Sequence, residues 1–193
     1  SDFVFGRDGR GDVRLLRVLG RRHGFGVTVM APLRLDGRIV SSTRIRRLVA
    51  AGRVEEANRA LGWTYALHGR VVHGEGRGTA IGLPTANLKA YHEIIPRPGV
   101  YAVEVRLHGR RRPGLAHIGR RPTFHRYGPE TIEIHLPGRR RPLHGRRLEV
   151  HFLGRIRETR GFPDAAALRG QVKRDWRRAV RRFGAPFGGE LKI

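Results

Sequence analysis

The residues best suited to chemistry form a glycine-rich segment followed by two polar side chains. The glycines come at close spacing after an apolar pair: Gly74, Gly76, Gly78 and Gly82. Residues without a Cβ let consecutive backbone N–H groups approach an anion closely. Thr85 and Asn87 follow two residues apart, so an extended strand would place both on one face. A hydroxyl and an amide oxygen suit a hard cation such as Mg²⁺ together with phosphates.

This segment does not match the common phosphate-binding motifs. No Gly-Lys-Ser/Thr follows it, which excludes a Walker P-loop. Pro84 disfavours the helix that a dinucleotide-binding fingerprint would open. On composition alone, the segment is more typical of a plain hairpin loop than of a nucleotide site.

A second candidate lies in a later strand, where apolar and polar residues alternate. Ile132, Ile134 and Leu136 would share the face that fills the interior of a small barrel. Glu133 and His135 would then face outward, where a ligand could lie. The alternative for an outward glutamate among many arginines is an ordinary surface ion pair.

The elements that must position these residues are short strands followed by a helix. Six strands are predicted, at 65–73, 85–88, 99–107, 113–118, 131–136 and 147–153. Their short length and near-regular spacing indicate a closed antiparallel barrel. After Pro163-Asp164, apolar residues recur at helical spacing, which predicts a helix packed on the barrel with Trp176 in the core. The tail at 184–193 is expected to be loose.

Before the barrel, strands and helices alternate. A helix is predicted between Asp12 and a point near Gly24, and the run at 26–30 is typical of a short buried strand.

A further helix follows, in which Ser41 or Ser42 can act as the N-cap. It is expected to end at Gly52, and one more short helix is predicted at 54–61.

Composition excludes several classes of protein. The 193 residues contain no cysteine, which removes disulfides, thiolate zinc sites and cysteine nucleophiles. No apolar run approaches the roughly 18 residues of a membrane span, and no N-terminal signal is apparent, so a cytoplasmic location is expected.

Charge is the extreme feature of the composition. The formal net charge of +24 predicts non-specific, salt-dependent binding of polyanions. The arginines are scattered through every segment, however, so a basic solvated surface explains them as well as a specific nucleic-acid site does.

The motifs together resemble the riboflavin kinase module of the prokaryotic bifunctional riboflavin kinase/FAD synthetases. The resemblance runs through segments 69–74, 82–88, 98–105, 118–124, 133–136 and 171–175. It implies a mainly β fold, the six-stranded Greek-key barrel of the flavokinases with a C-terminal helix. It also implies ATP and riboflavin as substrates, FMN and ADP as products, and Mg²⁺ or another divalent cation.

The resemblance also implies roles for individual residues. Nucleotide binding falls to Gly74, Gly76, Arg77, Gly78, Gly82, Pro84, Thr85 and Asn87. Thr85 and Asn87 would also be the metal ligands, Glu133 would be the catalytic base, and Arg157 and Phe162 would bind the flavin. The chain departs from the family at several positions; His117, for example, stands where Asn is usual.

Residues 1–62 resemble the last part of an α/β nucleotidyltransferase domain, and residues 63–193 the kinase. The family's late phosphate-contacting motif is matched by Ser41, Ser42, Thr43 and Arg44. The 193 residues contain no His-x-Gly-His segment, which that transferase family uses. We therefore expect a partial, inactive FMN adenylyltransferase-like segment, and no FAD synthesis from this chain alone.

Riboflavin kinase is thus the leading functional hypothesis. The alternative is a binding module: a flavin or nucleotide binder without turnover, or an arginine-rich barrel that binds nucleic acid. Nucleic-acid binding by stacking would need aromatic side chains on one sheet face, and only 7% of the residues are Phe, Trp or Tyr.

Overall fold

The computed structural model describes residues 3–74, 78, 82–107, 109–120, 130–138 and 143–187. It divides into two units, 1–41 and 42–193. The described elements of the first unit are β1 (Val4–Phe5), β2 (Gly11–Asp12), α1 (Val13–His23), β3 (Arg34–Leu35) and β4 (Arg38–Ile39). The pairs β1–β2 and β3–β4 are each antiparallel.

Helix α1 has the ends that the sequence predicts. The Asp12 carboxylate accepts a hydrogen bond from the backbone N–H of Leu15 at 2.8 Å, which caps the N-terminus. Gly24 ends the helix with φ 75°, in the left-handed region. The predicted buried strand at 26–30 is wrong: the run is not a strand and is mostly exposed. Within the described part of this unit, strands pair only as two short hairpins, so the run has no sheet to join.

In the second unit, two α-helices precede six strands along the chain, and one α-helix follows them. Its described elements are α2 (Ser42–Ala50), α3 (Val54–Leu61), β5 (Ala66–Val72), β6 (Thr85–Ala90), β7 (Gly99–Leu107), β8 (Arg110–Arg120), β9 (Glu130–His135), β10 (Arg147–Arg157) and α4 (Ala165–Phe183). The predicted helix at 54–61 is confirmed by α3.

The six strands close into an antiparallel barrel in the order β10-β5-β6-β9-β8-β7. Strand β6 therefore lies beside β9 and not beside β7, a non-sequential order that confirms the predicted Greek-key barrel. Alternate residues fill the interior, as in the burial of Ile132 and Ile134, which are 2% and 1% exposed. The intervening side chains of each strand point to the outer face.

Helix α4 covers part of that outer face. The Asp164 carboxylate accepts a hydrogen bond from the N–H of Ala167 at 2.7 Å and caps the helix. Trp176 is 5% exposed and packs in a cluster with apolar residues of β7 and β8, which confirms its prediction as a core residue. Phe187 is fully buried with its ring centroid 5.0 Å from that of Trp176. The expectation of a loose tail is therefore wrong for 184–187.

The side chain of Asn58 joins helix α3 to the barrel by two hydrogen bonds. The side-chain amide of Asn58 donates to the carbonyl of Phe152 at 2.8 Å and accepts from the N–H of Tyr65 at 2.7 Å. Residues 42–61 thus pack as part of the barrel unit. The predicted domain boundary after residue 62 rests on resemblance to two kinds of domain, and it stays a prediction.

None of the described helices is long and apolar enough to cross a bilayer.

Candidate functional site

A row of outward side chains crosses five strands of the barrel. Strand pairing places Asn87 opposite Glu133, Glu133 opposite His117, His117 opposite Val100, and Val100 opposite Arg157. Directly opposed residues of antiparallel strands share a face and lie roughly 4.5–5.5 Å apart at Cβ. The row therefore brings together residues predicted to bind the metal, to accept the proton and to bind the flavin.

A second row runs beside the first, two residues along each strand. Thr85 lies opposite His135, and His135 lies opposite Leu115. Thr85 and Asn87 thus share the outer face with Glu133, as the spacing of the two polar residues predicts.

A cavity of about 320 Å³ opens over these rows, between the barrel, the 158–162 segment and α4. Its described lining is Gly78, Leu83, Thr85, Val100, Leu115, His117, Glu133, His135, Arg157, Arg160, Phe162, Leu168, Val172 and Asp175. Cavities that hold small ligands are mostly apolar with a few placed polar groups and measure roughly 300–1,000 Å³. This one has that size and that kind of lining.

Two glycines of the predicted nucleotide segment lie against the polar side chains of β6. A Cβ on Gly74 would collide with the side-chain amide of Asn87, and a Cβ on Gly78 would come within 3.0 Å of the Thr85 hydroxyl. Gly82 has φ 75°, where only glycine is relaxed. Gly76 and Arg77 lie outside the described residues. The close approach shows why glycine suits positions 74 and 78.

His135 is buried under the edge of the cavity. Its Nδ1 lies 3.1 Å from the carbonyl oxygen of Pro84. Its Nε2 is buried, and no described residue forms a hydrogen bond with it. Burial lowers the pKa of His135, although the bond to Pro84 acts in the opposite direction. The ring is therefore neutral near pH 7, with its proton on the nitrogen that faces the carbonyl.

His117 lies opposite Glu133 in the first row. Desolvation by the surrounding protein lowers its pKa, the Glu133 carboxylate opposes this effect, and the Arg157 guanidinium adds to it. The balance favours a neutral imidazole beside the carboxylate.

Arg157 is held by a buried carboxylate of α4. Its Nε lies 2.9 Å from Oδ2 and 3.0 Å from Oδ1 of Asp175, and its Nη2 lies 2.9 Å from Oδ2. Asp175 is 3% exposed and also accepts a hydrogen bond from the Gln171 amide at 2.7 Å. Charge-assisted bonds of this kind fix a guanidinium in one orientation.

The ring of Phe162 lies close to two guanidinium groups. The Cζ of Arg157 is 5.6 Å from the ring centroid, and that of Arg160 is 5.1 Å away. Arg160 in turn donates to the Gln171 side chain. These contacts connect the segment before α4 to the helix and place an aromatic ring at the cavity wall.

The cavity contains several residues for which sequence reasoning proposed no role. These are His135, Arg160, Asp175 and the apolar residues of β7, β8 and α4. Two of them had a sequence signal: His135, which alternation placed on the outward face with Glu133, and Asp175, an acidic residue among the arginines of the last helix. Both lie within segments that resemble the family.

The predicted adenylyltransferase phosphate motif comprises the last residue of the first unit and the first residues of the second. Ser42 begins α2, and Ser41 is the last residue of the first unit. The phosphate-contacting role of Ser41, Ser42, Thr43 and Arg44 stays a prediction.

Comparison with known proteins assigns most of the chain to one family. A flavokinase family model, described as riboflavin kinase, matches residues 61–183. A bifunctional riboflavin kinase/FMN adenylyltransferase of Pseudomonas fluorescens is 38% identical over 186 residues, which are 96% of this chain and 60% of that protein. The corresponding protein of Bacillus subtilis strain 168 is 34% identical, over 94% of this chain and 58% of that protein. The chain thus spans about 60% of the length of the curated relatives it matches.

A solved structure, described as a macrolide-efflux protein from Streptococcus pneumoniae, is 31% identical with a TM-score of 0.82. It is matched over 94% of this chain and 58% of its own length. The family match covers well over half of the chain and contains every described residue that lines the cavity. The chain therefore belongs to the flavokinase family, the riboflavin kinases.

Proposed function

We propose that this chain transfers the γ-phosphate of ATP to the ribityl 5′-hydroxyl of riboflavin, giving FMN and ADP. The observation that carries the proposal is the cavity, in which Thr85, Glu133, Arg157 and Phe162 meet. Family membership supplies the substrate class, and the lining supplies groups of the right chemistry for each part of the reaction.

The flavin ring fits the end of the cavity that α4 covers. Val100, Leu115, Leu168 and Val172 form apolar walls, which suit a flat, largely apolar ring system. Arg157, oriented by Asp175, supplies donors at the rim, and guanidinium donors match the polar edge of such a ring.

Glu133 is the proposed proton acceptor. It lies in the middle of the first row, between Asn87 and His117. As the hydroxyl oxygen bonds to the γ-phosphorus, the bond to the ADP oxygen breaks and the hydroxyl proton passes to the Glu133 carboxylate. Its carboxylate would therefore lie between β6, which carries the proposed metal ligands, and the apolar walls proposed to hold the flavin.

The metal-binding role falls to neutral oxygens. Over the part of the chain that the structure describes, no group of three or more His, Asp or Glu side chains is placed to hold a metal ion. The Thr85 hydroxyl and the Asn87 amide, side by side on β6, suit a cation whose other ligands are phosphate oxygens and waters. When bound, Mg²⁺ would neutralise charge that develops on the phosphates.

Replacing Thr85 by Val tests this assignment. The change keeps the side-chain shape and removes the hydroxyl, so Mg-ADP affinity is expected to fall about tenfold, the size of one hydrogen bond or ligand contact. Affinity for ADP in EDTA, and for riboflavin alone, should change little. Calorimetric titration measures all three. Thr131→Val on β9 is the matched control, and equal Mg-ADP affinity of the Thr85 variant and the parent would sink the assignment.

The product of the 193-residue polypeptide is a separate prediction. Because these residues contain no His-x-Gly-His segment, the reaction with riboflavin and excess ATP is expected to stop at FMN. Chromatography of the reaction mixture distinguishes the flavins, and FAD made by this polypeptide alone would contradict the expectation.

Turnover itself tests the proposed function. FMN formation from riboflavin and Mg-ATP supports it, with flavin fluorescence titration in parallel. Tight flavin binding without any FMN would favour the non-catalytic module. The net charge of +24 also predicts polyanion binding that weakens steeply with salt, so the kinase assays belong at physiological ionic strength.

A further inference from the structure

His135 has two ring nitrogens with different surroundings. Nδ1 faces the Pro84 carbonyl oxygen at 3.1 Å. A carbonyl only accepts, so Nδ1 must carry a proton. Among the described residues Nε2 has no hydrogen-bond partner, although His135 is only 6% exposed. Burying an acceptor without a partner is destabilising, and buried polar groups are nearly always hydrogen-bonded in folded proteins.

Thr85 is the proposed metal ligand that strand pairing places beside His135. Thr85 and His135 are directly opposed across β6 and β9, and both line the cavity. A hydroxyl that gives a lone pair to a cation still has one proton to donate. Outer groups that accept such protons orient metal ligands in many sites.

We propose that His135 is a positioning residue, whose Nε2 accepts the proton of the Thr85 hydroxyl while its Nδ1–H holds the Pro84 carbonyl. This arrangement turns the oxygen lone pairs of Thr85 toward the cation and nucleotide. It also fixes the residue that precedes β6. The inference rests on the proposed function, because it assumes that Thr85 serves a cation-bound nucleotide.

The tautomer of His135 supports this role. With its proton on Nδ1, which faces the Pro84 carbonyl oxygen, the ring offers a lone pair at Nε2.

Two amide variants separate the functions of the two nitrogens. The Asn amide reaches the position of Nδ1, so His135→Asn retains the bond to Pro84 and loses the acceptor for Thr85. The Gln amide reaches the position of Nε2, so His135→Gln retains an acceptor and loses the bond to Pro84. Affinities for Mg-ADP and for ADP in EDTA are measured by calorimetry, and thermal unfolding confirms that each variant folds.

We expect His135→Asn to weaken Mg-ADP binding by about tenfold with little change for ADP in EDTA. His135→Gln should keep most of the Mg-ADP affinity even where its thermal stability falls. In a double-mutant cycle with Thr85→Val, the His135→Asn change should have little further effect, because its acceptor acts only through the hydroxyl.

Additive losses in that cycle, or equal losses with Mg²⁺ and with EDTA, would overturn this inference while leaving the proposed function intact. Failure of the parent chain to bind Mg-ADP at all would overturn the proposed function, and this inference with it.

Discussion

Replacing Glu133 by Gln is expected to lower kcat for FMN formation by at least about a hundredfold. The amide keeps the volume and the hydrogen bonding of the side chain but cannot take the hydroxyl proton, and general-base catalysis is typically worth about 10² to 10⁴ in rate. Riboflavin and Mg-ADP affinities should change much less, because the ground state does not need the basicity of the carboxylate. Steady-state kinetics and fluorescence titration separate the two effects.

Glu149→Gln is the matched control for this change. Glu149 is another half-buried strand glutamate, on β10, where it pairs with Arg106 at 3.5 Å and His151 at 2.8 Å, and it does not line the cavity. Its replacement should leave kcat nearly unchanged. A Glu133 variant that keeps most of its turnover, or a control that loses as much, would place the base elsewhere.

The change Asp175→Asn is expected to destabilise the fold and weaken flavin binding together. It removes the charge that compensates Arg157, and breaking a buried ion pair from one side typically costs about 3–5 kcal/mol. Arg157 is also released from its fixed orientation, so riboflavin affinity should fall about tenfold or more. Urea unfolding measures the first effect, and fluorescence titration at a temperature where the variant is folded measures the second.

An exposed ion pair between α4 and α3 provides the comparison. Arg182 of α4 contacts Glu55 at 2.6 Å, with side chains 41% and 35% exposed. Removing that charge by Glu55→Gln should cost less than about 1 kcal/mol and leave flavin affinity alone. Similar losses for Asp175→Asn and Glu55→Gln would show that the buried pair does not orient a flavin-binding group.

Local patterns predicted much of the barrel. The alternation around Glu133 was enough to place Ile132 and Ile134 inside and the glutamate outside, because side-chain direction in a strand follows directly from sequence parity. The same reasoning placed Thr85 and Asn87 on one face. Strand pairing then put these faces side by side, as the closed barrel requires.

Contacts between distant elements could not be predicted in this way. Asp175 has a site-related role only because α4 crosses the outer face where Arg157 ends β10, and nothing in the helix sequence specifies that crossing. Phe187 is buried only because the turn after α4 returns it to Trp176. The run at 26–30 has the composition of a strand, but strand composition is decisive only where a neighbouring strand is available.

Barrel closure also determines when the candidate site can exist during folding. The first row takes its residues from β6, β7, β8, β9 and β10, so no single hairpin of the chain holds it. A hairpin such as β7–β8 forms early from local contacts, whereas the β6–β9 pairing must wait for the closure of a long loop, which slows folding. The candidate site is therefore expected to form only with the long-range pairings that close the barrel.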